Sequence, residues 1–362
     1  MIVVVAPNPF KGVLSAPDAA AAMARGVRRA DPTAQLRLSP MADGGEGTLQ
    51  ALLGGRPGLP VTVEGPLGGG VPAQFGLLPG DGTAVVELAQ SSGGALLPRR
   101  LWDPARTSTY GFGQMLEAAR RSGVARIIAA IGGSITNDGG AGMAQALGFR
   151  LLDRWGDDLP RGGMALRALE RIDASGLDPH WPEVEVLVAA DVTNPLTGPQ
   201  GATMVYAAQK GADESTRAGL ELALLRFEEL IGRELAQTPG AGAAGGVGAG
   251  LAYFLGARIC PGAALVADAA RLDQVLVGAG LVITGEGRVD AQTAQGKGPI
   301  EVARRAARLG IPVLLVAGSR GTGWERVLDL GVQRVVSLDG SEPHPAWGPA
   351  DALSAAVEGA LR

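Results

Sequence analysis

The chain has 362 residues, 46% of them hydrophobic and 19% charged, with a formal net charge of -4. That is the make-up of an ordinary globular protein, without the basic excess that coats nucleic acid or the low hydrophobicity of a disordered chain. Its length exceeds what one hydrophobic core usually serves, so two domains are expected, and the lone Cys260 excludes an intramolecular disulfide and any cysteine-rich metal site.

Short β-rich runs alternate with amphipathic stretches, the pattern of α/β layers. Residues 2–6 read as a buried strand and 15–30 as a helix that Ser15 can cap. A second strand follows at 36–38, then a helix from after Asp43-Gly44-Gly45 to about Leu53. Proline, glycine and strand-like segments at 61–63, 73–78 and 84–88, with a Gly80-Asp81-Gly82 turn, indicate antiparallel pairing and a change of domain. Further buried strands are expected at 126–131 and 184–190, and a long helix at 216–236. The first rhythm returns near Gly280: strand 281–284, helix 300–309, strand 313–316, helix 324–330, strand 334–336 and helix 350–361. Two early and three late strands would complete one doubly wound sheet. The expected organisation is therefore a discontinuous domain of residues 1–60 plus 278–362, with residues 61–277 inserted as a second, mixed-sheet α/β domain. The site is expected where strand ends and loops converge. The start Met1-Ile2-Val3-Val4-Val5 lacks the features of a signal peptide, and the uncharged stretch 238–257 is too rich in glycine and alanine for membrane insertion. A cytoplasmic protein without membrane or nucleic-acid partners is expected; a homodimer stays open.

Only three lysines stand against 29 arginines, and each precedes a glycine: Lys11-Gly12, Lys210-Gly211 and Lys297-Gly298. A lysine is a compact point charge suited to one oxygen of a phosphate or carboxylate, and a neighbouring glycine lets a ligand approach the backbone. The three are therefore candidates for an anionic-ligand site. The competing explanation is a composition bias that removed lysine and left three by accident.

Four glycine-rich loops follow expected strands. Ala6-Pro7-Asn8-Pro9-Phe10-Lys11-Gly12 presents Lys11 ahead of a helix N-terminus, an end that attracts anions. Met41-Ala42-Asp43-Gly44-Gly45-Glu46-Gly47-Thr48 sets two carboxylates beside bare amides. Gly132-Gly133-Ser134-Ile135-Thr136-Asn137-Asp138-Gly139-Gly140 repeats its Asp-Gly-Gly-x-Gly pattern, and such loops can form a nest for phosphate oxygens. The fourth, Ile283-Thr284-Gly285-Glu286-Gly287-Arg288-Val289-Asp290, leads to Gly296-Lys297-Gly298. Asp191, at a strand end before Val192-Thr193-Asn194-Pro195, can bind Mg2+, accept a hydroxyl proton or cap a turn.

A classical P-loop is excluded, since Ala291 stands where its first glycine should be. Gly240, Gly242 and Gly245 spell G-x-G-x-x-G but follow an expected helix, so the dinucleotide context fails. His180 and His344 both neighbour proline in polar loops, so any general base is expected to be a carboxylate.

Taken together, these loops, with Asp191-Val192-Thr193-Asn194-Pro195-Leu196, Gln209-Lys210-Gly211-Ala212 and residues 239–251, resemble the bacterial type I glycerate kinase family from end to end. The resemblance implies a flavodoxin-like domain plus a second α/β domain likened to restriction endonucleases. It implies ATP-dependent, Mg2+-assisted phosphorylation of D-glycerate, generally to 2-phosphoglycerate. The chain departs from the family at Asn8-Pro9, where Asp-Ser is common, and at Ile135, commonly alanine. Asn8 cannot serve as a base and is left out of the catalytic set. Phosphoryl transfer needs cations, a metal and a proton acceptor, which assigns Lys11, Asp43 and Asp191 to catalysis. Gly44, Gly45, Glu46, Gly132, Gly133, Ser134, Thr136, Asn137, Asp138, Gly139, Asn194, Lys210, Gly285, Glu286, Arg288 and Lys297 are assigned to substrate or phosphate, and Asp191 and Asp290 to metal. Asp43 is favoured as base. The rival functions are a nicotinamide-dependent hydroxy-acid dehydrogenase, resting on Gly240, Gly242 and Gly245, and a nucleotide-binding regulator without turnover.

Overall fold

The computed structural model describes residues 1–80, 82–339 and 348–362. The middle of the expected turn at Asp81 and the loop position of His344 lie outside the described residues. Among those described, the strands in chain order are β1 (Ile2–Val5), β2 (Gln35–Leu38), β3 (Leu59–Glu64), β4 (Gly70–Leu78), β5 (Thr83–Glu87), β6 (Arg126–Ala130), β7 (Arg150–Leu152), β8 (Arg171–Asp173), β9 (Glu185–Ala190), β10 (Arg258–Pro261), β11 (Leu281–Val289), β12 (Val313–Arg320) and β13 (Arg334–Ser337). The chain divides into two compact units: Met1–Asp43, Gln50–Arg56 and Gly262–Arg362 form one, and Gly44–Leu49 and Pro57–Pro261 the other.

The first unit holds a parallel sheet in the order β13-β12-β11-β1-β2. Counted within the unit, that is 2-1-3-4-5, the flavodoxin-like doubly wound arrangement. The β-branched run Val3, Val4 and Val5 is fully buried, as expected of a strand covered on both faces. The helix α1 (Ala16–Ala30) is capped by Ser15, whose Oγ accepts from the Asp18 amide at 3.2 Å. Its Met23 and Val27 join Leu353 and Val357 of the helix Pro349–Leu361 in one core.

In the second unit a six-stranded mixed sheet runs β10-β9-β6-β5-β4-β3. Strands β5, β6, β9 and β10 are parallel, and β3 and β4 pair antiparallel at one side, as their alternation and turn residues suggest. A separate hairpin joins β7 and β8. Phe112, Met115, Leu116, Ile127 and Phe227 fill the core.

Three expectations need correction. The helix expected over 216–236 spans Glu214–Ile231 and restarts as Arg233–Ala236, because Gly232 takes φ +90° and cannot carry the helix through. The strand expected at 281–284 continues to Val289, so Gly285, Glu286 and Arg288 stand on β11 instead of a loop. Their extension is held by equally extended β12, in register to Val289 opposite Arg320. Residues 324–330 form a tighter 3-10 segment, entered and left through Gly323 and Gly331. No described helix is long and apolar enough to cross a membrane.

Candidate active site

In a 2-1-3-4-5 sheet, ligands bind outside the carboxyl ends of the strands where the order reverses, here between β1 and β11. Several expected residues of the first unit gather at that place. The chain leaving β1 crosses to β11, where the Asn8 amide donates to the Gly285 carbonyl at 2.8 Å, then turns sharply between Phe10 and Leu14 with Lys11 exposed at the tip. The chain leaving β2 is tied alongside, Met41 N–H to the Pro7 carbonyl at 2.9 Å, and delivers Asp43. Lys11 Nζ lies 3.6 Å from Asp43 Oδ2. Glu286 projects from β11 and is buried; its Oε1 accepts from Thr293 Oγ1 at 2.6 Å, and Thr293 Oγ1 accepts the Asp290 amide at 3.1 Å. Burial pushes the Glu286 carboxyl up to about 7; Lys297 opposes the rise, whereas the like charges of Asp43 and Asp290 add to it. Arg288 pairs loosely with Asp290 at 3.6 Å and faces solvent. Lys297 is the residue from which the helix Gly298–Arg308 starts.

The remaining expected residues belong to the second unit; the division falls inside the second motif, between Asp43 and Gly44. Two glycine loops there pack on each other. A Cβ on Gly132 would lie 2.6 Å from Gly45 Cα, and one on Gly44 would lie 2.7 Å from the Ala189 side chain on β9; the Gly132 amide donates to the Gly44 carbonyl at 3.1 Å. Glycine is needed at these two positions for that approach. Gly133 is exposed and Ser134 half-buried; Glu46, which follows Gly45, is exposed.

Deeper in the third motif the residues turn inward. Asp138 is fully buried, and its oxygens accept from the amides of Thr109, Gly140 and Gly142 and from Thr109 Oγ1. Burial drives its carboxyl up, against the pull of those bonds. It therefore anchors backbone, and the neighbouring Gly139 amide donates to the Gly245 carbonyl at 3.0 Å. Asn137 Nδ2 donates to Thr203 Oγ1 at 3.0 Å, while Asn137 Oδ1 and Thr136 Oγ1 are buried without a partner. Lys210 is also buried, its Nζ donating to Ser134 Oγ at 2.9 Å and to the Thr136 carbonyl at 2.7 Å. After β9, Asp191 is exposed, and Asn194 is occupied in holding its own loop, donating to the Gln200 carbonyl and accepting from Tyr206 Oη, each at 2.7 Å.

Two residues, Thr293 and Glu87, went unremarked in the sequence, and a third, Asn8, was left out of the catalytic set. Thr293 bridges Glu286 and Asp290. Asn8 is buried with Oδ1 unpartnered. Glu87 ends β5, is buried, and accepts the Leu49 amide at 2.7 Å at the start of the helix Thr48–Leu53; burial pushes its carboxyl up. Its signal was an acid ending an otherwise apolar strand.

The run Gly240, Gly242 and Gly245 follows the helix Arg233–Ala236 and enters the helix Ala243–Leu255, so no strand leads into it. A Cβ on Gly242 would meet the Pro195 carbonyl oxygen, and one on Gly245 the Thr136 carbonyl oxygen, both at 2.1 Å, so these glycines serve close backbone packing. Among the described residues no group of three or more His, Cys, Asp and Glu side chains could hold a metal by itself. Asp290 lies in the first unit and Asp191 in the second.

Residues 3–347 match the sequence model of the glycerate kinase family. The chain is 49% identical to the glycerate kinase of Halalkalibacterium halodurans over 93% of its own length and 90% of that protein. It is 45% identical to the glycerate 2-kinase of Escherichia coli over the same shares. A crystal structure from Salmonella typhimurium, provisionally assigned as glycerate kinase 2, superposes with a TM-score of 0.88 at 41% identity, covering 100% of this chain and 97% of that one. With the family matched across nearly its whole length and two families of loops at the carboxyl ends of its strands, this chain belongs to the glycerate kinase family.

Proposed function

We propose that the protein phosphorylates D-glycerate from ATP to give 2-phosphoglycerate, in the cytoplasm, with Mg2+ as the assisting metal. The observation that carries the reading is the meeting of Lys11, Asp43, Glu286 and Lys297 at the reversal point of a flavodoxin-like sheet in a chain of this family. Phosphoryl transfer is chiefly a matter of positioning and charge, and this set supplies cations and carboxylates together.

In the first unit, Asp43 takes the proton of the attacking glycerate hydroxyl as its oxygen bonds to the γ-phosphorus and the bond from phosphorus to ADP breaks. Lys11 lies beside it to balance charge on the transferred group. Glu286, raised to about 7, exchanges its proton within the neutral range and, through Thr293, holds the segment from Asp290 in place. Separate environments for two carboxyl groups are a common way of dividing such roles. In the second unit, the loop at Gly132, Gly133 and Ser134 receives an anionic oxygen. The donor set fits Mg2+ in the form it usually takes beside nucleotides, one or two carboxylates with the rest supplied by phosphates and water. Asp290 would hold it, with Asp191 the candidate in the second unit, and it would neutralise charge on the phosphates.

A coupled assay of ADP release with D-glycerate, followed by NMR of the product, tests the reading. Phosphorus coupled to the proton on carbon 2 is the expected result. Coupling to carbon 3 would change the product, and ADP release that ignores glycerate would overturn the assignment.

A further inference from the structure

We propose that Lys210 serves the reaction without touching a substrate, as a positioning residue that turns the Ser134 hydroxyl outward as a hydrogen-bond donor. The inference rests on the reading above, in which the loop at Gly132 to Ser134 receives an anionic oxygen.

Lys210 ends the short 3-10 segment Ala208–Lys210, and only 4% of it is exposed. Lys11 is the opposite case, with 77% of its side chain exposed. An ammonium that seeks an anion from solution needs its tip in solution. The tip of Lys210 is instead spent on the protein, on Ser134 Oγ at 2.9 Å and the Thr136 carbonyl at 2.7 Å. Both acceptors belong to the third glycine motif, so one buried charge grips the loop at two points two residues apart.

The consequence for Ser134 follows from its chemistry. A hydroxyl carries one proton and two lone pairs, and an ammonium can only donate. With one lone pair fixed on Lys210 Nζ, the hydroxyl proton is directed away from the lysine. The position of the oxygen is set independently: Ser134 bridges Gly93 in antiparallel fashion, and the next amide, of Ile135, donates to the Ser92 carbonyl at 3.1 Å. Gly133 on its other side is exposed. Backbone thus places the oxygen, and Lys210 orients its proton. A positive charge behind the oxygen also polarises the O–H bond, which strengthens donation to an anion in surroundings of low dielectric. Burial pulls the Lys210 ammonium down to about 7, with buried Asp138 opposing the shift, so the charged form that orients Ser134 is lost as pH rises through about 7.

The test is a kinetic cycle of Ser134→Ala, Lys210→Met and the double variant, with ATP and D-glycerate each varied and thermal unfolding followed in parallel. Each single change is expected to lower kcat/KM by roughly 10-fold or more, and the double variant to fall no more than about two-fold below the worse single one, since the two act as one unit. A rise in KM for ATP identifies a phosphate as the recipient, and a rise in KM for glycerate a carboxylate. A merely structural lysine would add its loss to that of Ser134→Ala, and such multiplicative losses overturn the inference. So does an impaired Ser134→Ala beside an unimpaired Lys210→Met, which leaves the loop reading intact. Wild-type kinetics in Ser134→Ala would remove both. Should Lys210→Met fail to fold, the wild-type enzyme still decides. With only three lysines, reductive methylation read by mass spectrometry should modify Lys11 and Lys297 and spare Lys210; modification of Lys210 as fast as Lys11, slowed by ATP or glycerate, would make it a ligand contact and sink the proposal.

Discussion

Lys11, Lys210 and Lys297 share a following glycine and little else once folded. The pairing of lysine with glycine pointed to Lys11 and Lys297 beside the carboxylates of the first unit, but whether a lysine tip reaches solvent depends on packing between distant segments, so the burial of Lys210 left no mark in the sequence. Thr293 and Glu87 escaped for a related reason, since a lone hydroxyl and an acid at a strand end look like ordinary surface residues until their partners are known. At this scale Asp43→Asn is expected to lower kcat by ~10²–10⁴-fold, the usual worth of a positioned proton acceptor. Raising Mg2+ should not restore it, because the loss is not of metal affinity; recovery at high Mg2+ would make Asp43 a metal ligand instead. The two shifted groups also predict a pH dependence of stability. Glu286, raised from 4.5 to about 7, binds more protons folded than unfolded, so the stability it contributes is present below pH 4.5 and lost as pH rises through about 7. Lys210, lowered from 10.5 to about 7, acts in the other window: its contribution is absent below about 7 and regained towards 10.5. Denaturant midpoints measured from pH 5 to 10 should show Glu286→Gln flattening the first slope and Lys210→Met the second. An unchanged slope in either variant removes that assignment.

Hydrophobic periodicity located most strands and the flanking helices, because buried parallel strands read as short β-branched runs. It overran or stopped short where a glycine decided the matter: Gly232 ends the helix Glu214–Ile231, whereas Gly285 lets β11 run on instead of ending it. The helix Ala243–Leu255 was harder still to read, since its glycines are there to admit neighbouring backbone. Gly245 and Gly12 separate the two uses of glycine. Both have positive φ, +74° and +75°, but a Cβ on Gly245 would lie 2.1 Å from the Thr136 carbonyl oxygen, and one on Gly12 would meet nothing within 4 Å. Gly12→Ala is expected to cost about 1–2 kcal/mol, for the left-handed backbone alone. Gly245→Ala should cost about 1–3 kcal/mol more, for overpacking. Equal losses in urea unfolding would mean that the close approach at Gly245 is easily relieved.

The strand-and-helix rhythm of the sequence stops near residue 60 and resumes near 280, whereas the first compact unit is Met1–Asp43, Gln50–Arg56 and Gly262–Arg362; the six residues Gly44–Leu49 carry no periodicity that would set them apart. Discontinuity makes this unit depend on segments far apart in sequence. The first long helix, α1, buries Met23 and Val27 against Leu353 and Val357 of the last described helix, and a Cβ on Gly26 would lie 2.3 Å from the Ser354 carbonyl oxygen. Leu353 and Val357 are fully buried, each contributing about 1.5–3 kcal/mol by its burial. Together they approach the whole stability of a typical domain, about 5–15 kcal/mol. A chain stopped after Gly348 should therefore leave the first unit unfolded while the core around Phe112 and Phe227, which draws no residue from that helix, persists. Limited proteolysis should then cut within residues 1–43 and 262–348 and spare 57–261. Leu353→Ala gives the graded version, with an expected loss of about 2–5 kcal/mol. If the shortened chain resists protease throughout and still releases ADP with D-glycerate, the last helix is only a cover, and the sheet and α1 hold the first unit together without it.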